Sequence, residues 1–518
     1  MLEARRRRRQ RADVDSMLSA FAVARPARSS ETVLVDGTWD NPNYWVRYTL
    51  VRAALGLRGG REVGLIGPYR RRECAGTFAR LGIDDVLTFD PWSGDRRRAR
   101  DEARRWLSDV RGPDDVIRRR LPHDFPADFL YDGILKRQRA ACVDVGDPRL
   151  VDVVGEFFGT LRMAEDVLAS RPFSMVVLSH VVNYQYAALA WLALRRGIPV
   201  VVLYGEFGLL RLVKLTAPEH LTDAANRPAH AEFDALTPAR AERMAAAGRA
   251  YLERRLGGGT KELGAIMAYQ RRTVRTSRAE ICDRFGWDPS LPIMAVYASN
   301  WFDLPHTFGM TNFRDFLDWL EATLPTCAAN RRVNWLFKAH PCDAWYGGVT
   351  LADLMPRQAA PNVRLVPDDW HGASLLHAVD GLVTYHGTAG IECAALGKPV
   401  LLADRGWYHD LGIARWPESR DEYLQALATD WWKDLDLADT TRRAHVFAGW
   451  HFGRPRWQDP FVLEDDPVQD PIYERLPALW VGAQDAIGKE VDTIRAWFAS
   501  DHRHYHTFKM SLADDYTG

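Results

Sequence analysis

The residues with the most chemical content lie in one run: Thr384-Tyr385-His386-Gly387-Thr388-Ala389-Gly390-Ile391-Glu392-Cys393-Ala394-Ala395-Leu396-Gly397-Lys398-Pro399-Val400. An apolar strand leads into a turn with two glycines and a hydroxyl, and a helix begins at once. Such a turn directs backbone N–H groups and the positive end of a helix at one point, which suits a phosphate. Glu392, about one turn further on, can accept hydrogen bonds from ribose hydroxyls beside that phosphate. The same glycines can instead serve only tight strand-to-helix packing. A second element, Trp335-Leu336-Phe337-Lys338-Ala339-His340-Pro341, ends a strand in a His-Pro pair. Proline keeps His340 extended and aims its ring away from the strand edge. Lys338 and His340 are then placed to donate to a phosphate or a nucleobase. The alternative is a satisfied core histidine beside a surface lysine.

These residues need a scaffold of parallel strands, and the hydrophobic pattern predicts one. Thr32 to Val35, Glu62 to Ile66 and Asp85 to Phe89 read as strands separated by helices at Tyr44 to Leu57 and Cys74 to Leu81. Ser174 to His180 and Ile198 to Tyr204 are continuous apolar runs that suit strands buried on both faces. From about Thr222 to Asp288 the chain is Ala-, Arg- and Glu-rich and reads as a helical connector. A second series follows: strands Ile293 to Tyr297, Asn334 to Phe337, Val363 to Val366, Gly381 to Thr384 and Pro399 to Ala403, with helices Asn312 to Leu324, Ala373 to Ala378 and Ala389 to Leu396 between them. The expected fold is α/β, with two Rossmann-like domains facing a cleft. The expected divisions are a basic tail 1–30, an acceptor domain 31–221, a connector 222–290, a nucleotide-sugar domain 291–450 and C-terminal helices 451–518 that pack back.

His340-Pro341, the run His386 to Glu392 and Gly397-Lys398-Pro399-Val400 together resemble the C-terminal domain of capsule polysaccharide biosynthesis proteins. These are GT-B glycosyltransferases related in pattern to Kdo- and sialyl-transferring enzymes. The resemblance runs from about Ile293 to Ile413, under a quarter of the chain. It implies that His340, His386, Gly387, Thr388, Gly390 and Glu392 hold a donor nucleotide and its phosphate. Lys338, Lys398 and Arg405, at or near strand ends, are expected to assist the departing phosphate, and a resident metal is not expected. Many members have an Asn-Ser-Thr-like run where this chain has His386-Gly387-Thr388, so the resemblance does not fix the donor. The family also carries an acidic residue after a late strand of its first domain, and Glu206 in Tyr204-Gly205-Glu206-Phe207-Gly208 is the nearest counterpart. Glu206 is thus a candidate base for the acceptor hydroxyl, or else a salt-bridge partner of Arg211 or Lys214. Asp36 and Asp40, in the loop Asp36-Gly37-Thr38-Trp39-Asp40-Asn41, are rival candidates, Asp36 alternatively capping the next helix. Asn300, in the loop after the first strand of the second series, is expected to close over the donor or to form a plain loop.

Composition narrows the partners. The chain of 518 residues has 68 Lys plus Arg against 68 Asp plus Glu, so it offers no global field for nucleic acid. Its 6 cysteines form no CxxC pair and point to a cytoplasmic setting without a zinc site. His123-Asp124 and Asp368-Asp369-Trp370-His371 lack a third metal ligand nearby. The run Arg5 to Arg9 reads as a solvated tail, or as a peripheral contact with the anionic cytoplasmic membrane face. The expected partners are a nucleotide sugar and a glycan or lipid-linked acceptor. Two other functions fit the same pattern, a nucleotide-sugar epimerase of GT-B-like fold and a non-catalytic scaffold of a polysaccharide-export complex.

Overall fold

The computed structural model describes Arg5 and residues 32–38, 42–57, 61–68, 71–92, 94–203, 211–221, 233–260, 263–341, 343, 348–355, 360–453, 457–458, 479 and 481–506. Two sheets organise the chain. The first has β1 (Val33–Asp36), β2 (Glu62–Ile66), β3 (Val86–Thr88), β4 (Met175–Leu178), β5 (Val200–Val202), β6 (Arg211–Leu215) and β12 (His504–His506) in the order β12-β6-β5-β4-β1-β2-β3. The second has β7 (Ile293–Tyr297), β8 (Asn334–Lys338), β9 (Val363–Leu365), β10 (Gly381–Thr384) and β11 (Val400–Leu402) in the order β11-β10-β7-β8-β9. All pairings in the second sheet are parallel. In the first sheet only β6 and β12 run antiparallel to their neighbours. The α/β class with two mainly parallel sheets is the expected one.

In each sheet the chain winds outward in both directions from a central pair. From β1 it goes to β2 and β3 on one side, and from β4 to β5 on the other. The second sheet reverses between β7 and β10. Open α/β sheets bind ligands beyond the carboxyl ends of such strands, so two places are singled out, one after β1 and β4 and one after β7 and β10.

Two corrections concern the elements. The expected helix Asn312 to Leu324 begins later, at Phe316, where Asp315 caps it by accepting the Asp318 N–H, and it ends at Ala329. Strands β6 and β12 have no counterpart in the apolar pattern, because Arg211 and Lys214 interrupt the one and histidines flank Tyr505 in the other. Arg211 donates to the His451 carbonyl and Lys214 Nζ to the carbonyls of Trp497 and Ser500.

The segment after β6 is more than a connector. Helix Pro238–Leu256 crosses helix Leu437–Phe452 at two glycines: a Cβ on Gly248 would lie 2.0 Å from the His445 carbonyl oxygen, and one on Gly449 2.0 Å from that of Met244. Backbone on both sides cannot yield, so only glycine permits this approach. Helix Gln484–Phe498 lies against helix Pro42–Leu55, burying Ile487, Val491, Ile494 and Trp497 among Tyr44, Trp45 and Tyr48. The loop after β7 is keyed to helix Ala127–Gln138. Asp132 there accepts the His306 and Thr307 N–H groups, the Thr307 hydroxyl and His306 Nδ1 at 2.7 Å. Tyr131 donates to Asp315 at 2.6 Å. A single apolar core continues through this seam, from Leu130 and Tyr131 to Trp301, Trp319 and Trp335.

Candidate functional site

After β10 the chain turns at Gly387, which is extended (φ −67°, ψ 152°) and precedes helix Thr388–Ala395. Thr384 Oγ1 accepts the Gly387 N–H at 3.4 Å, and the Tyr408 hydroxyl donates to the Gly387 carbonyl at 2.7 Å. Gly390 makes room for that tyrosine, since a Cβ there would meet the Tyr408 oxygen at 2.1 Å. Thr388 opens the helix and is partly exposed. His386 is buried against Phe308, Phe316 and Tyr385, and a Cβ on Gly406 would come within 2.3 Å of its own Cβ. Burial pushes His386 down to about 4, so it is neutral at pH 7, and its Nδ1 has no hydrogen-bond partner among the described residues.

Strand β8, separated from β10 by β7 in the same sheet, ends at Lys338. Lys338 is 2% exposed and stands 4.9 Å from the centre of the Tyr297 ring, with a weak 3.5 Å contact to the Ala339 carbonyl. Burial, aided by the Arg272 charge, pushes its ammonium down to about 7 against the pull of Glu392, Asp343 and Asp368. It is therefore not the surface lysine of the alternative expectation. His340 is pushed down to about 4 by burial, with Lys338 and Arg272 acting in the same direction and Asp303 against it. Asp343 is pushed up to about 7 by burial, opposed by Lys338. Asn300 Nδ2 reaches Asp343 Oδ1 at 3.4 Å, and Asp343 Oδ2 has no hydrogen-bond partner among the described residues. Asn300 also accepts the Phe302 N–H, which folds its own loop back. From helix Ala127–Gln138, Lys136 pairs with Asp303 of that loop at 2.8 Å.

Residues 312–440 match the family described as capsule polysaccharide biosynthesis protein. Within the matched segment fall Lys338, His340, His386, Gly387, Thr388, Gly390 and Glu392, whereas Asn300 lies just before it. Among solved structures the chain resembles KpsC of Thermosulfurimonas dismutans, a beta Kdo 2,4 transferase, at 14% identity over 55% of this chain and 85% of that one, with a TM-score of 0.35. It also resembles UDP-GlcNAc 2-epimerase from Neisseria meningitidis at 11% identity over 87% and 99% of the two chains, TM-score 0.25. For the calicheamicin glycosyltransferase CalG4 the figures are 14% identity, 81% and 96% coverage, and a TM-score of 0.25. No curated protein matches the chain.

Two residues of the matched segment are placed otherwise than expected. Glu392 is 2% exposed and turned away from the Gly387 turn: Arg255 Nε donates to it at 2.6 Å and the Tyr269 hydroxyl holds its other oxygen. A ribose contact would require this buried pair to open. Lys398 lies before β11, at the edge opposite the Gly387 turn. Its ammonium donates to the carbonyls of Leu376, His377 and Val379 at 2.8, 2.7 and 2.5 Å, closing the end of helix Gly372–Ala378. It is therefore too distant in role to assist a leaving phosphate. Arg405 is exposed at the other end of β11, as expected from its position. Arg255, Tyr269 and Arg272, from the segment read as connector, were not singled out in the sequence, and only a contact prediction would have found them.

At the first sheet Asp36 ends β1, and among the described residues its hydrogen bonds go to Thr38 and Ser179 and none to the following helix. Its Oδ1 accepts the Thr38 N–H at 2.8 Å and the Thr38 hydroxyl at 2.5 Å. Its Oδ2 accepts the Ser179 N–H at 3.1 Å and the Ser179 hydroxyl at 2.6 Å. Ser179 Oγ lies 2.7 Å from His180 Nδ1, and the His180 ring packs on Tyr186 with centres 3.8 Å apart. Neither Ser179 nor His180 was expected to take part. Asp40 and Glu206 lie outside the described residues. Among the described residues no three His, Cys, Asp or Glu side chains are grouped to hold a metal ion, and no helix is long and apolar enough to cross a membrane.

Proposed function

We propose that the protein transfers a sugar from a nucleotide-sugar donor to a surface polysaccharide or its lipid-linked precursor. The observation that carries this reading is the buried Lys338 ammonium, to which no carboxylate among the described residues is hydrogen-bonded, at the end of β8 in the segment that matches the capsule synthesis family. A cation held out of water gains most when an anion arrives, and a helix start adds its own N–H donors. The donor phosphate would rest there, with Asn300, His340, His386 and Thr388 around it. His340 and His386 are neutral near pH 7 and so contribute hydrogen bonds rather than charge. As the bond from the anomeric carbon to the phosphate breaks, negative charge grows on the leaving oxygen. Lys338 and the helix start stabilise that charge before water can.

A melting-temperature screen of the whole chain against CMP, UDP, GDP and CDP tests the donor half of the reading, because a bound nucleotide raises the transition by mass action. One nucleotide should raise it, and His340→Ala should weaken that rise and abolish transfer while leaving the protein folded. A folded His340→Ala protein with normal turnover refutes the donor site.

A further inference from the structure

One aromatic ring beside His386 has no part in holding the donor phosphate. Phe308 lies in the loop between β7 and helix Phe316–Ala329. Its ring centre stands 5.8 Å from that of His386, the residue before Gly387, and 5.9 Å from that of Trp407, in the chain that leaves β11. From Leu304 to Met310 every residue is buried except Phe308 and Gly309, which are partly exposed. The loop is fixed on both sides of this ring. Before it, Asp132 accepts the N–H groups of His306 and Thr307 and the Thr307 hydroxyl. After it, Asp404 accepts the Thr311 N–H and hydroxyl, each at 2.7 Å, and the Asn312 N–H. Both carboxylates are fully buried. Gly309, at φ 108°, lets the backbone pass close over the chain after β11, since a Cβ there would lie 3.3 Å from Arg405 Cβ. A partly exposed ring on a loop held at both ends is preorganised for contact, because little freedom is lost when a ligand covers it.

What holds the loop decides which part of a donor meets the ring. Two groups leave the donor phosphate, the nucleoside and the sugar, and the sugar is the one that must face the acceptor. The acceptor is expected on the first α/β unit. Asp132 belongs to that unit, because helix Ala127–Gln138 packs on helices Leu150–Ala169 and Asn183–Arg195. Phe308 follows Thr307, which is bonded to Asp132, so the ring lies where the second unit meets the first. We propose that Phe308 is the platform for the transferred sugar of the donor, a pyranose ring whose C–H face lies on the phenyl face. This rests on the transferase reading. The face of a phenyl ring carries partial negative charge and draws the weakly positive C–H groups of a sugar ring, while its apolar area is removed from water. Phe308 moves no proton and makes no hydrogen bond. Its part is to fix where the anomeric carbon stands for attack.

Titration calorimetry on the full chain tests this, comparing UDP, GDP and CMP with UDP-glucose, UDP-GlcNAc, GDP-mannose and CMP-N-acetylneuraminate. Phe308→Leu keeps apolar bulk against His386 and Trp407 but removes the flat face. It should weaken the nucleotide sugar that binds by about 2- to 13-fold, the range for one aromatic contact, and leave the matching bare nucleotide unchanged. Phe308→Tyr, which restores the flat face, should bind both as the wild type does. If Phe308→Leu weakens nucleotide and nucleotide sugar equally, the ring serves the nucleoside or only packs on His386, and the sugar platform is overturned. Unchanged binding of both ligands overturns it as well. A wild type that binds a nucleotide but none of its sugars overturns the platform and leaves the nucleotide site standing. Binding of none of the seven compounds overturns both.

Discussion

Replacing Glu392 by alanine separates two roles that the same carboxylate could play. Its side chain and that of Arg255 are 2% and 4% exposed, and the pair is closed at 2.6 Å with Tyr269 on the second oxygen. Removing one member of a buried, hydrogen-bonded ion pair costs about 3–5 kcal/mol, because the remaining charge stays in a poorly solvated site. For a folding unit of about 150–250 residues each kcal/mol moves the transition by roughly 2–4 °C. Glu392→Ala should therefore lower the transition of the second α/β unit by roughly 6–20 °C in scanning calorimetry. Pairing Glu392→Leu with Arg255→Met should recover most of the loss, since apolar replacements of similar volume often match a buried ion pair. That coupling would appear as strong non-additivity in the double-mutant cycle. If Glu392→Ala melts within a degree or two of the wild type and instead loses nucleotide affinity, the carboxylate is a ribose ligand and the packing argument is refuted.

Three further outcomes follow from the same coordinates. Gly390→Ala should destabilise the protein by about 1–3 kcal/mol by driving Cβ into the Tyr408 hydroxyl, and adding Tyr408→Phe should restore part of it, as urea unfolding would show. Burial opposes charge on His306, but Asp132 outweighs it and raises its proton affinity above the ordinary value of 6.5. The stability this adds is complete below about pH 6.5 and is lost as pH rises through the raised native value, so the melting advantage of the wild type over His306→Gln should shrink with rising pH. A phosphate beside Lys338, held down to about 7, should raise its proton affinity on binding. Calorimetric titration of the tight-binding nucleotide at pH 8, in buffers of different ionisation enthalpy, should show proton uptake that falls in Lys338→Met.

The parallel strands were legible because strands buried on both faces are continuous apolar runs, as Met175–Leu178 and Val200–Val202 are. The Gly387 turn was legible for a similar reason, being wholly local in the chain. What stayed hidden depends on partners distant in sequence. Glu392 looked like a cleft residue from its place in the first turns of a helix, but Arg255 and Tyr269, 137 and 123 residues away, decide where it points. Ser179 read as the end of an apolar strand, and its hydrogen bonds to Asp36, 143 residues away, form only because β4 pairs with β1. Lys398 carried the right charge near the right motif, but it precedes its strand instead of following it, which puts it on the wrong edge.

Strand β12 has a consequence for how the chain is made. It covers the outer edge of β6, pairing His504 with Val213 and His506 with Arg211. On the ribosome, β6 emerges long before its partner, since roughly 290 residues separate Leu215 from His504. At about 5–20 residues per second this edge stays open for roughly 15–60 s. During that interval Arg211 and Lys214, whose carbonyl partners at His451, Trp497 and Ser500 are also still to come, are solvated charges on an unpaired strand. Such charges discourage the strand from pairing with another nascent chain. The same two side chains thus guard the edge during synthesis and tie it to the returning helices afterwards.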